Sequence, residues 1–194
     1  MPEWFMGKLL GIEPSAQDLA LLQQSFDGLT DAALVQPQVI VHRDYHCRNI
    51  HLLPNGEPGL IDFQDAVRGP ATYDLVSLLK DCYFRLDVAS VKSLALQFKQ
   101  QMPSSDAFID DAGFLQAFDW MGLQRHLKVL GIFARLNLRD GKPGYLKDLP
   151  LVIAYVREVL KRYPAFTELD AWFDGRLMPA IKQQHWYRSV EIQP

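Results

Sequence analysis

The chain has 194 residues, of which 48% are hydrophobic and 22% charged, and this composition predicts one globular domain over residues 1–194 with a substantial core. The formal net charge of −3 provides no basic field for nucleic acid or an anionic membrane surface. No apolar run approaches the roughly 18 residues that a membrane-spanning helix needs. Because Cys47 and Cys82 give no disulfide framework and the first residues lack a signal-peptide pattern, we expect a cytoplasmic protein.

The first forty residues predict two helical pieces followed by a short strand. An apolar face at residues 4–10 precedes Ser15, which can cap a helix whose apolar residues fall at helical spacing, namely Leu19, Leu22 and Phe26. Pro37 ends any helix before it, and residues 39–41 form a β-type Val-Ile-Val run.

The next segment predicts a β-hairpin, and the rest of the chain predicts helices. Residues 50–53 and 59–62 flank a turn-rich link that contains Asn55-Gly56. After Pro70 the apolar residues recur at helical spacing. We predict helices from Thr72 to about Leu86 and over residues 88–101, 114–138, 152–163 and 167–183. Thr167 is the predicted N-cap of the last helix. The predicted fold class is therefore mainly α with one small β-hairpin.

The densest cluster of polar residues lies around this hairpin. Residues 42–49 read His-Arg-Asp-Tyr-His-Cys-Arg-Asn, and Asp62-Phe63 follows the hairpin, an order that matches the catalytic loop and nearly matches the metal motif of protein kinases. A carboxylate at Asp44 can orient an acceptor hydroxyl and take its proton. The amide oxygen of Asn49 and the carboxylate of Asp62 are hard donors suited to Mg²⁺ on ATP phosphates. The pattern predicts phosphoryl transfer with ATP and Mg²⁺ as cofactors.

Departures from the protein-kinase pattern point to another family. His46, together with the run from Asp62-Phe63-Gln64-Asp65-Ala66 to Asp74-Leu75, resembles the aminoglycoside phosphotransferase and choline kinase superfamily. This resemblance implies a catalytic loop at residues 41–50, a metal-binding segment at 60–66 and a helical substrate subdomain at about 72–184. It also implies that Asp44 is the base, that Asn49 and Asp62 bind the metal, and that His42 and Asp74 support the loop.

Further segments are similar to bacterial anomeric amino-sugar kinases, and this likeness covers about residues 2–165. They are residues 2–5, 61–66, 123–136 and 139–145. The resemblance implies phosphorylation of the C1 hydroxyl of N-acetylmuramic acid and N-acetylglucosamine, in recycling of cell-wall sugars. Arg48 and Arg68 are candidates for binding phosphates or a sugar carboxylate, with pairing to surface acids as the equal alternative. Asp65 is a candidate for contacting the sugar or a second metal.

A kinase of this class also needs an N-terminal lobe with a phosphate-covering loop and a lysine held by a glutamate. Only about 40 residues precede the catalytic loop, and they predict helices, with no glycine-rich loop. We therefore expect the chain to be the C-terminal lobe, with the N-terminal lobe as a missing partner, and to be inactive or weakly active alone.

Other functions remain as alternatives. Within the superfamily, the acceptor could be an aminoglycoside, choline or homoserine, and a non-catalytic module or degenerate kinase is a different class. A hydrolase that uses Cys47 and His46 has little support in the spacing. A zinc site has equally little support, and its candidate ligands would be His42, His46 and His51. Arg125 and His126 lie on an apolar helix, where we favour structural over site-lining roles.

Overall fold

The computed structural model describes residues 1–103, 107–108 and 110–190, and most of them are helical. In chain order the helices and strands are α1 Ala16–Leu34, β1 Gln38–Val41, β2 Ile50–Leu52, β3 Pro58–Leu60, β4 Val67–Pro70, α2 Tyr73–Leu79, α3 Val88–Gln101, α4 Asp111–Leu138, α5 Leu149–Arg162, α6 Thr167–Trp172 and α7 Met178–Lys182. Short π-helical segments lie at Pro2–Leu9 and Phe173–Leu177, and 3₁₀ turns at Cys47–Asn49, Pro143–Asp148 and Pro164–Phe166. The predicted fold class is confirmed.

The chain divides into two compact units. Among the described residues, the first unit comprises 1–30 and 123–190, and the second comprises 31–122. All of the predicted site residues belong to the second unit. The expectation of a single domain and of a substrate subdomain at about 72–184 stays a prediction.

The first unit is a helical unit whose α5 is its most buried element. Nine residues of α5 are buried, including Val152, Val156 and Val159. The start of α1 is capped reciprocally, since Ser15 Oγ accepts the Asp18 amide at 3.1 Å and Asp18 Oδ2 accepts the Ser15 amide at 2.8 Å, which confirms the predicted cap. Trp172 Nε1 donates to Asp18 Oδ1 at 2.6 Å, and this bond is the main cause that lowers the pKa of the Asp18 carboxyl.

The second unit packs α2, α3 and the first turns of α4 around one apolar cluster, whose buried members are Val76, Leu79, Val91, Ala95, Phe114, Phe118 and Met121. Helix α3 has the predicted bounds because Asp87 caps it, its side chain accepting the Ser90 amide at 2.8 Å. These helices give the neighbouring loops a rigid support.

Two small antiparallel sheets complete the second unit. The β2–β3 hairpin is the predicted one, with Ile50 opposite Leu60 and Leu52 opposite Pro58. The second sheet pairs β1 with β4, and the sequence did not predict β4. Gly69 on β4 faces Val39 in the register, and a Cβ there would lie 2.7 Å from Val41 Cγ2, so the close approach of the strands requires glycine.

Two helix predictions differ from the structure. Helix α2 ends at Leu79 rather than near Leu86, because Lys80 leaves helical geometry and both Lys80 and Asp81 are buried in polar contacts. The last predicted helix is divided into α6, the π-helical segment and α7. Pro179 in the first turn of α7 cannot donate a backbone hydrogen bond, and such a residue commonly accompanies a local change of helix type.

Thr167 is the first residue of α6 rather than its cap, and its Oγ1 donates to Pro164 O at 2.8 Å.

Among the described residues, no helix combines the length and the hydrophobicity that crossing a membrane requires.

A buried ion pair lies directly after α2. Lys80 Nζ and Asp119 Oδ1 are 2.9 Å apart, each side chain is 4% exposed, and the Lys80 Nζ lies 5.6 Å from the centre of the Phe118 ring. A buried ion left without its partner is costly, so this pair ties the end of α2 to α4.

Replacing Asp119 with alanine should lower the free energy of unfolding by about 3–5 kcal/mol, because the buried charge of Lys80 would lose the Asp119 carboxylate. Urea denaturation followed by circular dichroism measures the change. The matched control is Asp111→Ala, which breaks the more exposed pair between Asp111 and Lys99 and should cost at most about 1 kcal/mol. Equal losses in the two variants would contradict this role of the pair.

Candidate active site

The segment between β1 and β2 is held by a carboxylate from α2. Asp74 Oδ2 accepts the His42 amide at 2.6 Å, and Asp74 Oδ1 accepts the Arg43 amide at 3.0 Å. Arg43 has a φ of 74°, a left-handed conformation that costs energy for a residue other than glycine. Hydrogen bonds from backbone amides to a carboxylate are charge-assisted and offset such a cost.

His42 is buried beneath this segment. Its Nε2 lies 3.0 Å from Ile61 O, and since a carbonyl oxygen only accepts, this hydrogen bond requires the proton on Nε2. The ring also lies edge-on to Tyr45, with 6.0 Å between ring centres. His42 thus connects the loop after β1 to the segment after β3.

The structure brings the Asn49 side chain close to the backbone of Asp44 and to the carboxylate of Asp62. Asn49 Nδ2 donates to Asp44 O at 3.0 Å and lies 3.5 Å from Asp62 Oδ2. The backbone contributes as well, because the Ile61 amide donates to Asn49 O at 3.2 Å at the open end of the hairpin. Asn49 and Asp62 are 13 positions apart in sequence, and the hairpin between them accounts for their proximity.

Asp62 has an unusual backbone conformation and a further polar neighbour. Its φ is 67°, and with Arg43 it is one of the two described residues other than glycine with positive φ. Gln64 Nε2 donates to Asp62 Oδ1 at 2.6 Å. Strained backbone of this kind concentrates at functional sites, where the surrounding structure fixes the direction of a side chain.

The donor set fits a hard divalent cation. The side-chain nitrogen of Asn49 faces Asp44 O and Asp62 Oδ2. The neutral amide oxygen of Asn49 is therefore left to bind a cation. Asp62 adds a carboxylate. Mg²⁺ is typically held by one or two protein oxygens together with water and substrate phosphates. Within residues 1–103, 107–108 and 110–190, no three His, Cys, Asp or Glu side chains form a metal-binding group, so the three histidines make no zinc site there.

The three candidate substrate residues have different surroundings. The Arg48 guanidinium stacks over the Tyr83 ring at 3.4 Å from its centre. Asp65 is exposed, and its backbone oxygen accepts from Arg43 Nη1 at 3.4 Å. Arg68 lies on β4, where its Nη2 donates to Gln38 O on β1 at 3.3 Å. The structure therefore ties Arg48 to Tyr83 and Arg68 to the β1–β4 sheet.

Sequence reasoning missed two residues of this region, Asp81 and Tyr83. Asp81 is 1% exposed, and its carboxylate accepts the Cys47 amide at 3.0 Å and the Tyr83 amide at 3.1 Å. The one available signal was an acidic residue seven positions after Asp74, a spacing that places two side chains on one side of a helix. Because the helix ends between them, that spacing alone could not reveal the contact with Cys47.

Arg125 and His126 lie in the first unit and are buried, at 5% and 0% exposure. The His126 ring stacks on Tyr155 with 4.9 Å between ring centres and an angle of 16°. This packing is what a structural role predicts.

Residues 3–108 match the model of the phosphotransferase enzyme family. Because the match covers more than half of the chain, the chain belongs to this family. The superfamily that the sequence motifs predicted is confirmed.

Several curated relatives are similar to most of the chain. An N-acetylmuramate/N-acetylglucosamine kinase of Neisseria meningitidis is 44% identical over 175 residues, which are 88% of this chain and 51% of the relative. A protein of the same name from Pseudomonas putida is 45% identical over 87% of this chain and 50% of the relative. Another from Pseudomonas aeruginosa is 40% identical over 94% of this chain and 53% of the relative. The chain spans about half the length of these curated relatives.

Cys47 begins the 3₁₀ turn but is a poor nucleophile. Partial burial, followed by the hydrogen bond to and the charge of the Asp81 carboxylate, raises the pKa of the Cys47 thiol to about 11. The thiolate is the reactive form, so at pH 8 roughly one molecule in a thousand carries it. This environment argues against the hydrolase that would use Cys47 and His46.

Alkylation of Cys47 by iodoacetamide at pH 8 should be about 100-fold slower than that of a free cysteine peptide, because thiolate is scarce below the raised pKa. The rate should rise about tenfold per pH unit up to pH 10. Peptide mass spectrometry separates Cys47 from Cys82. A rate at pH 8 equal to that of the free peptide would contradict the raised pKa.

Proposed function

We propose that the chain carries the catalytic loop of an ATP-dependent phosphotransferase whose acceptor is the anomeric hydroxyl of an N-acetylated amino sugar, in recycling of cell-wall sugars in the cytoplasm. The observation that carries this proposal is that the Asn49 side-chain nitrogen lies between the backbone oxygen of Asp44 and the carboxylate of Asp62. Membership of the phosphotransferase enzyme family supports the reaction class. The names of the relatives support the acceptor.

The residues have separate roles in this proposal. Asp44 orients the acceptor hydroxyl and takes its proton as the bond to phosphorus forms. Asn49 and Asp62 hold Mg²⁺, which, when bound with ATP, neutralises charge on the phosphate oxygens.

His42 and Asp74 hold the loop and do not react. The Nε2 proton of His42 is used toward Ile61 O, which leaves that nitrogen unable to act as a base. Both carboxylate oxygens of Asp74 accept hydrogen bonds from backbone amides. These contacts give His42 and Asp74 a part in holding the loop, and this agrees with Asp44 as the proposed base.

Sugar recognition is proposed for Arg48, with Asp65 and Arg68 as further candidates. Arg48 is exposed, while stacking on Tyr83 limits the freedom of its guanidinium. A guanidinium held in this way binds a carboxylate with less loss of side-chain entropy. The lactyl carboxylate that distinguishes N-acetylmuramic acid from N-acetylglucosamine is a suitable partner.

A nucleotide-gripping N-terminal lobe is the proposed partner of the second unit. Apolar side chains on the two small sheets and beside Asp62 are exposed, with Ile40 at 82%, Leu52 at 81% and Phe63 at 66%. Exposed apolar surface of this kind marks interaction sites. We expect the chain to be inactive or weakly active without that lobe, because this class of kinase grips ATP phosphates with it.

In the protein as its gene encodes it, Asp44→Asn should lower turnover by about 10² to 10⁴ because the amide cannot accept the hydroxyl proton. ADP release with N-acetylmuramic acid or N-acetylglucosamine measures this, and thermal unfolding checks the fold. Asp140→Asn, which alters an exposed acid paired with Arg139 in the first unit, is the control and should keep wild-type turnover. Wild-type turnover in Asp44→Asn would contradict the assignment.

Asp62→Ala should abolish tight binding of Mn²⁺ in the presence of ATP, because a charged oxygen ligand is lost from a site with few protein ligands. Electron paramagnetic resonance of free Mn²⁺ gives the bound fraction. Glu57→Ala, which removes an exposed acid from the turn of the hairpin, is the control and should leave Mn²⁺ binding unchanged. Unchanged Mn²⁺ affinity in Asp62→Ala would exclude its proposed metal role.

A further inference from the structure

The turn that leads to the proposed metal ligand Asn49 is held by a buried carboxylate, which is separate from the half-buried Asp74. The 3₁₀ turn Cys47–Asn49 has His46 as its N-cap, and the His46 side chain makes no capping hydrogen bond. The first amide of a helical turn has no partner within the turn. Asp81 supplies that partner, because its Oδ2 accepts the Cys47 amide at 3.0 Å from 34 residues away in sequence.

The other oxygen of Asp81 holds the residue that packs against this turn. Asp81 Oδ1 accepts the Tyr83 amide at 3.1 Å. The Tyr83 ring in turn lies 3.4 Å from the Arg48 guanidinium and edge-on to His46, with 5.5 Å between ring centres. One carboxylate therefore fixes the backbone of the turn and the aromatic ring that contacts the side chains on either side of Cys47.

Asp81 itself has little freedom to move. It is 1% exposed and follows Lys80, whose buried pair with Asp119 ties this point of the chain to α4. Asp74, seven residues earlier on α2, holds the amides of His42 and Arg43. The segment 74–81 thus presents two carboxylates to the loop, one near the proposed base and one near the proposed metal ligand.

The turn that Asp81 holds ends at Asn49. The Asn49 amide donates to His46 O at 2.9 Å, and the Asn49 side chain connects Asp44 O with the Asp62 carboxylate. A shift of the turn would move the Asn49 side chain away from that carboxylate. Neighbouring groups that orient ligand side chains commonly change metal affinity when they are removed.

We propose that Asp81 is a positioning residue for the metal ligand Asn49: by holding the Cys47 and Tyr83 amides it fixes the turn Cys47–Asn49 against the Asp62 carboxylate. This inference rests on the proposed function, since it takes Asn49 and Asp62 as the metal ligands. It assigns to Asp81 a contribution to metal affinity that is separate from the contribution of Asp74 to the placement of Asp44.

The first test measures the turn without any metal or substrate. Amide hydrogen exchange by NMR on Asp81→Ala should show the protection of the Cys47 amide falling at least about tenfold, because its acceptor is gone. Asp81→Asn has nearly the same shape but only one acceptor oxygen, so an intermediate loss is expected. Asp87→Ala is the matched control, because it removes a carboxylate from the Ser90 amide and should expose Ser90 while leaving Cys47 unchanged.

The second test measures the metal in the protein as its gene encodes it. Mn²⁺ affinity in the presence of ATP should fall about 10- to 100-fold in Asp81→Ala, and less in Asp81→Asn. The Mg²⁺ concentration for half-maximal turnover should rise by a similar factor, while kcat at saturating Mg²⁺ changes little. Asp87→Ala should leave both quantities at their wild-type values.

The outcomes separate the two proposals. Unchanged exchange at Cys47, or faster exchange with unchanged Mn²⁺ affinity, in a folded Asp81 variant would overturn the positioning role and leave the proposed function intact. If Asp81→Ala does not fold, Asp81→Asn decides by the same criteria. Equal Mn²⁺ binding by the wild-type protein and by Asp62→Ala would contradict the proposed function. It would contradict the positioning role of Asp81 as well, because that role requires Asp62 as a metal ligand.

Discussion

The carboxylate of Asp74 holds two consecutive backbone amides, and the conformation of the loop that follows β1 depends on this contact. His42 and Arg43 both donate to this one carboxylate, and Arg43 has a left-handed backbone, which is unfavourable for a residue other than glycine. The position of Asp74 depends on α2, which buries Val76 and Leu79 in the apolar cluster of the second unit. Apolar packing of a short helix therefore fixes a polar loop that has few apolar side chains of its own.

The same short segment organises both sides of the candidate site. Asp74 contacts the part that leads to Asp44, and Asp81 contacts the turn that leads to Asn49. Taking an acid out of water is costly unless it finds donors, and backbone amides supply them to the buried Asp81 and the half-buried Asp74. The buried Lys80–Asp119 pair lies next to Asp81 and restrains this end of α2. The loop thus has two supports, which lets its backbone stay in a strained conformation before any ligand binds.

Local patterns in the sequence predicted most of the elements, and long-range contacts account for the differences. The bounds of α3 follow from the Asp87 cap and the apolar spacing, and the β2–β3 hairpin follows from its turn. Strand β4 was missed because Gly69-Pro70 reads as a turn and pairing with β1 spans about 30 residues. In the site, motif spacing anticipated the proximity of Asn49 and Asp62, whereas Asp81 acts over 34 residues and has no motif.

Transfer of phosphate to an anomeric hydroxyl, which we propose for this loop, can be observed by ³¹P NMR of the reaction mixture. The protein as its gene encodes it would receive Mg²⁺-ATP with N-acetylmuramic acid, N-acetylglucosamine, kanamycin or choline in separate samples. We expect a sugar 1-phosphate signal that is split by coupling to the anomeric proton. A phosphomonoester on kanamycin or choline alone, or no acceptor-dependent signal with either sugar, would contradict it.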